Sequence, residues 1–161
     1  MHGDKGCSIC ALACPRLDPD IEEIEVAVSG SPPTEDQPAG NYLYRTLARA
    51  TDSAIMARGQ DGGAVTALIS WGLLTGVLAG AVVASPSENV PWVDEPSVVT
   101  TIEGVLSTAG SRYTYCPNPL ALKKVAAQRL RSIAVVGVSY EATAIRQLEA
   151  AGIKRWPGEP G

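Results

Sequence analysis

At 161 residues, with 45% hydrophobic and 19% charged side chains, the chain has the make-up of one soluble globular domain with room for a small appendage. A net charge of −4, with no basic block and no aromatic–basic stripe, argues against a nucleic-acid surface. Phenylalanine is absent and aromatics total 5%, so Ala, Val, Leu and Ile must fill the core.

The first residues do not form a secretory signal: His2, Asp4 and Lys5 precede two early cysteines, and no apolar segment follows. Four cysteines in a chain that is not exported are reduced thiols or metal ligands rather than disulfides, which predicts a cytoplasmic protein. Residues 1–17 carry the most specific local pattern, Cys7-Ser8-Ile9-Cys10-Ala11-Leu12-Ala13-Cys14-Pro15. Its spacing, C-x2-C-x3-C-P, matches the last three ligands of the ferredoxin run C-x2-C-x2-C-x3-C-P, in which short loops wrap thiolates around one cluster. The first ligand position then falls on Asp4, a carboxylate and a poorer thiolate substitute. Three readings stay open: an iron–sulfur cluster on Cys7, Cys10 and Cys14, a zinc or other thiol site, and an unmetallated segment.

Residues 18–41 read as a linker. Asp18, Asp20, Glu22, Glu23 and Glu25 make an acidic patch, followed by Ser29-Gly30-Ser31-Pro32-Pro33 and Gln37-Pro38-Ala39-Gly40. From Tyr42 to Ala57 the spacing of Leu43, Leu47, Ala50, Ala54 and Ile55 predicts helix, interrupted at Asp52-Ser53. Next comes Gly59-Gln60-Asp61-Gly62-Gly63, a polar turn with two adjacent glycines. Such a turn can bring backbone N–H groups close to a ligand and aim the positive end of the following helix at it.

Between Gly62 and Ser87 there is no charged residue, and Gly72, Gly76 and Gly80 fall every fourth position, a pattern that raises a membrane span. The glycines divide the run instead into a helix of about four turns, a turn, and a buried strand Gly80-Ala81-Val82-Val83-Ala84. Basic anchors are missing from the flanks, and a membrane span is not expected. Pro86 to Pro96 is a loop, Ser97 to Thr101 a second strand, and Ile102 to Ala109 a short helix capped by Thr100 or Thr101.

The loop Gly110-Ser111-Arg112-Tyr113-Thr114-Tyr115-Cys116-Pro117-Asn118-Pro119 gathers hydroxyls, a guanidinium and two rings. Ser111, Arg112 and Thr114 could grip phosphate while a tyrosine meets a ring system; a structural loop uses the same residues. Pro119 to Leu130 predicts an amphipathic helix, Ser132 to Gly137 a buried strand, and Tyr140 to Ala151 a last helix. The loop Val138-Ser139-Tyr140-Glu141 is then placed at a strand's carboxyl end. This order predicts an α/β fold, a mostly parallel sheet with flanking helices across residues 42–156, preceded by the cysteine segment and ending in a tail at 157–161. The single histidine, His2, leaves a Ser–His–Asp hydrolase without a base.

Taken in order, the Gly59–Gly63 turn, Gly80-Ala81-Val82-Val83, Ala109 to Asn118 and Val135-Val136-Gly137 resemble the beta subunit of coenzyme F420-reducing hydrogenase. The wider family includes deazaflavin dehydrogenases and related flavoproteins. The Cys7 to Pro15 segment resembles the ferredoxin-like insertion of many members. The resemblance implies an FAD- and iron–sulfur-dependent oxidoreductase subunit moving electrons between a deazaflavin such as F420 and one-electron centres. Matched by position, Gln60, Asp61, Gly62 and Gly63 line the flavin site, with Ser111, Arg112, Tyr113, Thr114 and Asn118 adding contacts. Cys7, Cys10 and Cys14 hold a cluster of the 4Fe-4S type, its fourth ligand being Asp4, Cys116 or a partner's.

Two departures from the family pattern bear on activity. Ser139-Tyr140-Glu141 stands where members carry proline–cysteine–glutamine, and members are about twice as long. The chain is therefore expected to correspond to an amino-terminal half that works with a redox partner subunit or a complementary carboxyl-terminal half. The alternative is a degenerate, non-catalytic binding module of the same fold.

Overall fold

The computed structural model describes residues 8–17, 19–37 and 40–153. The expectations for His2, Asp4, Cys7 and the tail fall outside these residues. Two compact units are present: Leu47–Gly137, and the described parts of Met1–Thr46 with Val138–Arg155.

The Leu47–Gly137 unit is built on a three-stranded sheet in the order β2-β1-β3. Strand β1 (Gly80–Pro86) lies at its centre, with β2 (Asp94–Val99) and β3 (Ile133–Val135) on its edges. Ala81 and Val82 are fully buried and Val83 nearly so, as a strand covered on both faces requires. Side chains alternate along the strand, so Ala81 and Val83 share one face and Val82 takes the other. On the first face they pack with Ile69 of α4 (Ala64–Leu74) and Val105 of α5 (Ile102–Ser107). Against the sheet also lies a 3-10 turn, Asn118–Ala121, which leads into α6 (Leu122–Ala127).

The α/β class with flanking helices is as the sequence pattern predicts, and β1 and β3 pair in parallel. β2, however, runs antiparallel to β1, from Ala81 opposite Val99 to Pro86 opposite Asp94. The reason is the length of the connection. Residues 87–93 cannot make the crossover of about a dozen residues that a parallel return needs. They close instead as a tight loop, with the Ser87 N–H donating to the Val93 carbonyl at 2.8 Å. Pro96 is tolerated because β2 is an edge strand.

Several expected helices are shorter than predicted. Of the run from Tyr42 to Ala57, only α3 (Ser53–Arg58) forms. Asp52 caps it, its carboxylate accepting from the N–H groups of Ala54 and Ile55 at 2.9 and 3.0 Å. Leu43 and Leu47 are fully solvent-exposed. Without burial their helical spacing has nothing to stabilise it. The cap of α5 is Thr101, whose Oγ1 accepts from the Gly104 N–H at 3.1 Å.

In the other unit, α1 (Ile9–Leu12) and α2 (Ile21–Ser29) pack against α7 (Ser139–Ala150). Helix α2 occupies the acidic stretch read as linker. Asp20 accepts from the Glu23 N–H at 2.8 Å, Glu22 and Glu23 sit in the first turn, and left-handed Gly30 ends the helix. The acidity is thus the chemistry of a helix start. Likewise Ser139-Tyr140-Glu141 is not a loop but the first turn of α7, and the Glu141 carboxylate accepts from the Val138 N–H at 3.2 Å. Among the described residues no helix is long and apolar enough to cross a membrane.

Candidate functional site

After α3 ends, Gln60 is extended and Asp61, Gly62 and Gly63 all take positive φ, at 51°, 84° and 65°. Three successive left-handed residues fold the chain back on itself. The Gly62 carbonyl accepts from the Ala50 N–H at 2.7 Å, and the Gly63 N–H donates to the Gln60 carbonyl at 3.1 Å. A Cβ on Gly63 would lie 2.8 Å from Ile55 Cγ2, and one on Gly62 would lie 3.0 Å from Arg49 Cβ. The glycines are therefore required by the chain's own packing. Gly63 then starts α4, whose first turn has no side-chain cap.

The second loop is tied to this turn and to the sheet. The Ser111 N–H donates to Gln60 Oε1 at 2.8 Å, so the two glycine-bearing motifs meet. Asp94, at the start of β2, holds the middle of the loop. One carboxylate oxygen accepts from the Thr114 hydroxyl at 2.5 Å, and the other lies 3.7 Å from Arg112 Nε. The Arg112 guanidinium also donates from Nη2 to the Thr108 carbonyl at 3.4 Å. Buried Asn118 closes the loop, donating from Nδ2 to the Val136 carbonyl at 2.7 Å and accepting from the Cys116 thiol at 3.3 Å.

The antiparallel course of β2 explains this geometry. Pairing Asp94 with Pro86 puts the first residue of β2 at the carboxyl end of β1, and Val136 follows the carboxyl end of β3. The Gln60 turn and the Ser111–Asn118 loop thus gather at the carboxyl edge of the sheet, where open α/β sheets place ligands. Tyr113 and Tyr115 are 90% and 71% exposed there. Asp94 was not legible as a site residue, since only strand register brings it to the loop. A cavity of about 400 Å³ bordered by Ser85, Glu95, Ser97 and Thr108 lies on the β1–β2 side and includes none of the predicted residues.

A phosphate-bearing, ring-containing ligand such as FAD suits these groups. Arg112 Nε is buried without a hydrogen-bond acceptor, its nearest carboxylate oxygen being too distant at 3.7 Å. Gln60, Ser111, Arg112 and the uncapped start of α4 supply donors, Thr114 offers its hydroxyl oxygen because its proton goes to Asp94, and the exposed tyrosines supply rings. Asp61 is exposed beside them, and Asn118 acts as the buried clamp beneath. The thiols are less complete. Cys10 is exposed on α1, Cys14 is half-buried just beyond it, and Cys7 is outside the described residues. Among the described residues no group of three or more metal-binding side chains is gathered.

Comparison with known proteins agrees with this architecture. A sequence model described as coenzyme F420 hydrogenase/dehydrogenase, beta subunit N-term, matches residues 46–123. The coenzyme F420 hydrogenase subunit beta of Methanothermobacter thermautotrophicus is 37% identical over 111 residues, 68% of this chain and 39% of that protein. Its counterpart from Methanococcus voltae is 40% identical over 112 residues, 69% of this chain and 40% of its own length. A solved chain of the F420-reducing nickel–iron hydrogenase complex from Methanosarcina barkeri superposes with a TM-score of 0.62 at 32% identity, covering 69% of this chain and 39% of that one. The chain thus spans about two fifths of the length of these relatives. It belongs to the coenzyme F420 hydrogenase/dehydrogenase beta-subunit family, and matches that family's amino-terminal region.

Proposed function

We propose that this chain is the flavin-holding part of an F420-linked oxidoreductase subunit. It would work with a redox partner or with the remaining region of the family's beta subunit. The observation that carries the reading is the Gln60–Ser111 hydrogen bond. It joins, at the carboxyl edge of the sheet, two segments that both lie within residues 46–123, the stretch matched to a family whose named members include F420 hydrogenase subunits. Bound FAD supplies the chemistry that couples hydride transfer to single-electron transfer. The chain's own part is to hold it: Gln60, Asp61, Gly62 and Gly63 form one wall, and Ser111, Arg112, Tyr113 and Thr114 the other. Asn118 fixes the second wall to β3. Cys7, Cys10 and Cys14 are proposed ligands of an iron–sulfur cluster, which requires a reducing compartment such as the cytoplasm.

Flavin and iron analysis of anaerobically purified protein tests both cofactors. Bound FAD and iron with the matching absorbance bands are expected. A protein that stays colourless and iron-free after reconstitution would refute the reading.

A second reading, a non-catalytic binding module, draws support from Asp94, which already engages the Arg112 and Thr114 side chains proposed for the ligand. FAD binding without reduction by F420 carriers or dithionite, in the presence of the partner region, would favour it.

A further inference from the structure

We propose that the outer face of α4 is the docking surface for the carboxyl-terminal region of the family's beta subunit. Helix α4 carries no charged residue on any side. Its inward face carries Thr66, Ile69 and Ser70, all buried. Its outward face carries Val65, Leu68, Trp71 and Leu74, which are 56%, 66%, 57% and 75% exposed. These four residues recur every third position and so form one continuous ridge along the helix. Nothing charged interrupts it, since no Asp, Glu, Lys or Arg occurs between Gly62 and Ser87. A helix facing water is normally charged on its outer side, whereas one that is apolar all round is covered all round.

The family match supplies the candidate for the cover. The matched region is described as the amino-terminal part of the beta subunit, and it accounts for only 39% and 40% of the two hydrogenase relatives. The rest of the family's length is polypeptide that must pack on something, and an uncharged ridge ending in an exposed tryptophan and leucine suits an equally apolar partner face. The surface rests on the reading that a further region completes the protein, whether on the same polypeptide or another. It does not depend on FAD or on iron.

The test uses the chain with Trp92→Phe and Trp156→Phe, so that Trp71 alone reports by fluorescence. The probe is a recombinant polypeptide comprising the region of the Methanothermobacter thermautotrophicus beta subunit beyond its matched part. A one-to-one complex is expected, with Trp71 emission shifted to the blue and shielded from acrylamide. Leu68→Glu and Leu74→Glu should each weaken it about tenfold or more while leaving the circular dichroism of the free chain unchanged. Lys123→Glu, at an exposed position of α6, should not weaken it. A complex of undiminished affinity in both α4 variants overturns the surface and leaves the partner reading standing. So does a Trp71 already shielded in the free monomer, or one shielded only by a second copy at high concentration. No complex at all overturns both.

Discussion

Gln60 Oε1 accepts the backbone N–H of Ser111 at 2.8 Å, a bond that spans 51 positions of sequence and fixes the distance between the two walls of the candidate site. A side-chain amide in this role does two things. It satisfies a loop N–H that no strand would pair, and its NH2 group remains a donor for the ligand proposed at this site.

Gln60→Ala should therefore lower the melting temperature by only a few degrees, in keeping with the loss of one exposed hydrogen bond of about 1 kcal/mol. Its effect on FAD affinity should be larger. Gln60→Glu keeps the acceptor for Ser111 but removes the donors. It should leave stability near wild type and still weaken FAD binding, as read by flavin fluorescence titration.

Gly63→Ala and Gly76→Ala separate two costs of replacing a left-handed glycine. Both positions have positive φ, 65° and 72°, but a Cβ on Gly63 meets Ile55 Cγ2 at 2.8 Å whereas one on Gly76 meets nothing within 4 Å. Gly76→Ala should cost about 1 kcal/mol from backbone conformation alone. Gly63→Ala should cost about 2–4 kcal/mol, because the steric clash adds to it. Chemical denaturation of both variants checks the difference.

Asp94 holds Thr114 by a hydrogen bond and Arg112 by an ion pair, and its side chain is only 10% exposed. Asp94→Ala should release the loop. Trypsin cleavage after Arg112 should then rise about tenfold, the consequence of roughly 1.4 kcal/mol of lost local stability. Asp94→Asn, which still offers an oxygen to Thr114, should fall between wild type and Asp94→Ala.

Asn118 is 6% exposed and donates to the Val136 carbonyl at 2.7 Å. Asn118→Leu leaves that carbonyl and the loop unsatisfied, at a cost of about 1–3 kcal/mol. Asn118→Asp should be no better, since a carboxylate cannot donate to a carbonyl. Thermal unfolding of both should show the drop, and hydrogen exchange should place it in β3.

Much of this was legible in order along the chain. Gly80 to Ala84 reads as a buried strand because its apolar run has no polar face, and a threonine cap is legible at Thr100 or Thr101, of which the structure uses Thr101. The glycine turn and the loop from Ser111 to Asn118 were legible as polar turns whose residue types suit either a ligand or a purely structural loop. Such local signals depend on neighbours within a few residues, and the sequence contains those neighbours.

What tertiary structure decided was direction, contact and absence of contact. The helical spacing of Leu43 and Leu47 produced no helix because both side chains are exposed to water rather than buried in a core. The acidic patch around Asp20 became a helix start because α2 packs on α7, distant in sequence. The sheet turned mixed because residues 87–93 are too few to cross over, and that reversal alone carried Asp94 to the carboxyl edge where Arg112 and Thr114 lie. Sequence alone determined which groups the site could use. Only the fold determined that Gln60 meets Ser111, because a hydrogen bond between residues 60 and 111 has no energy until the sheet has brought both loops to one edge.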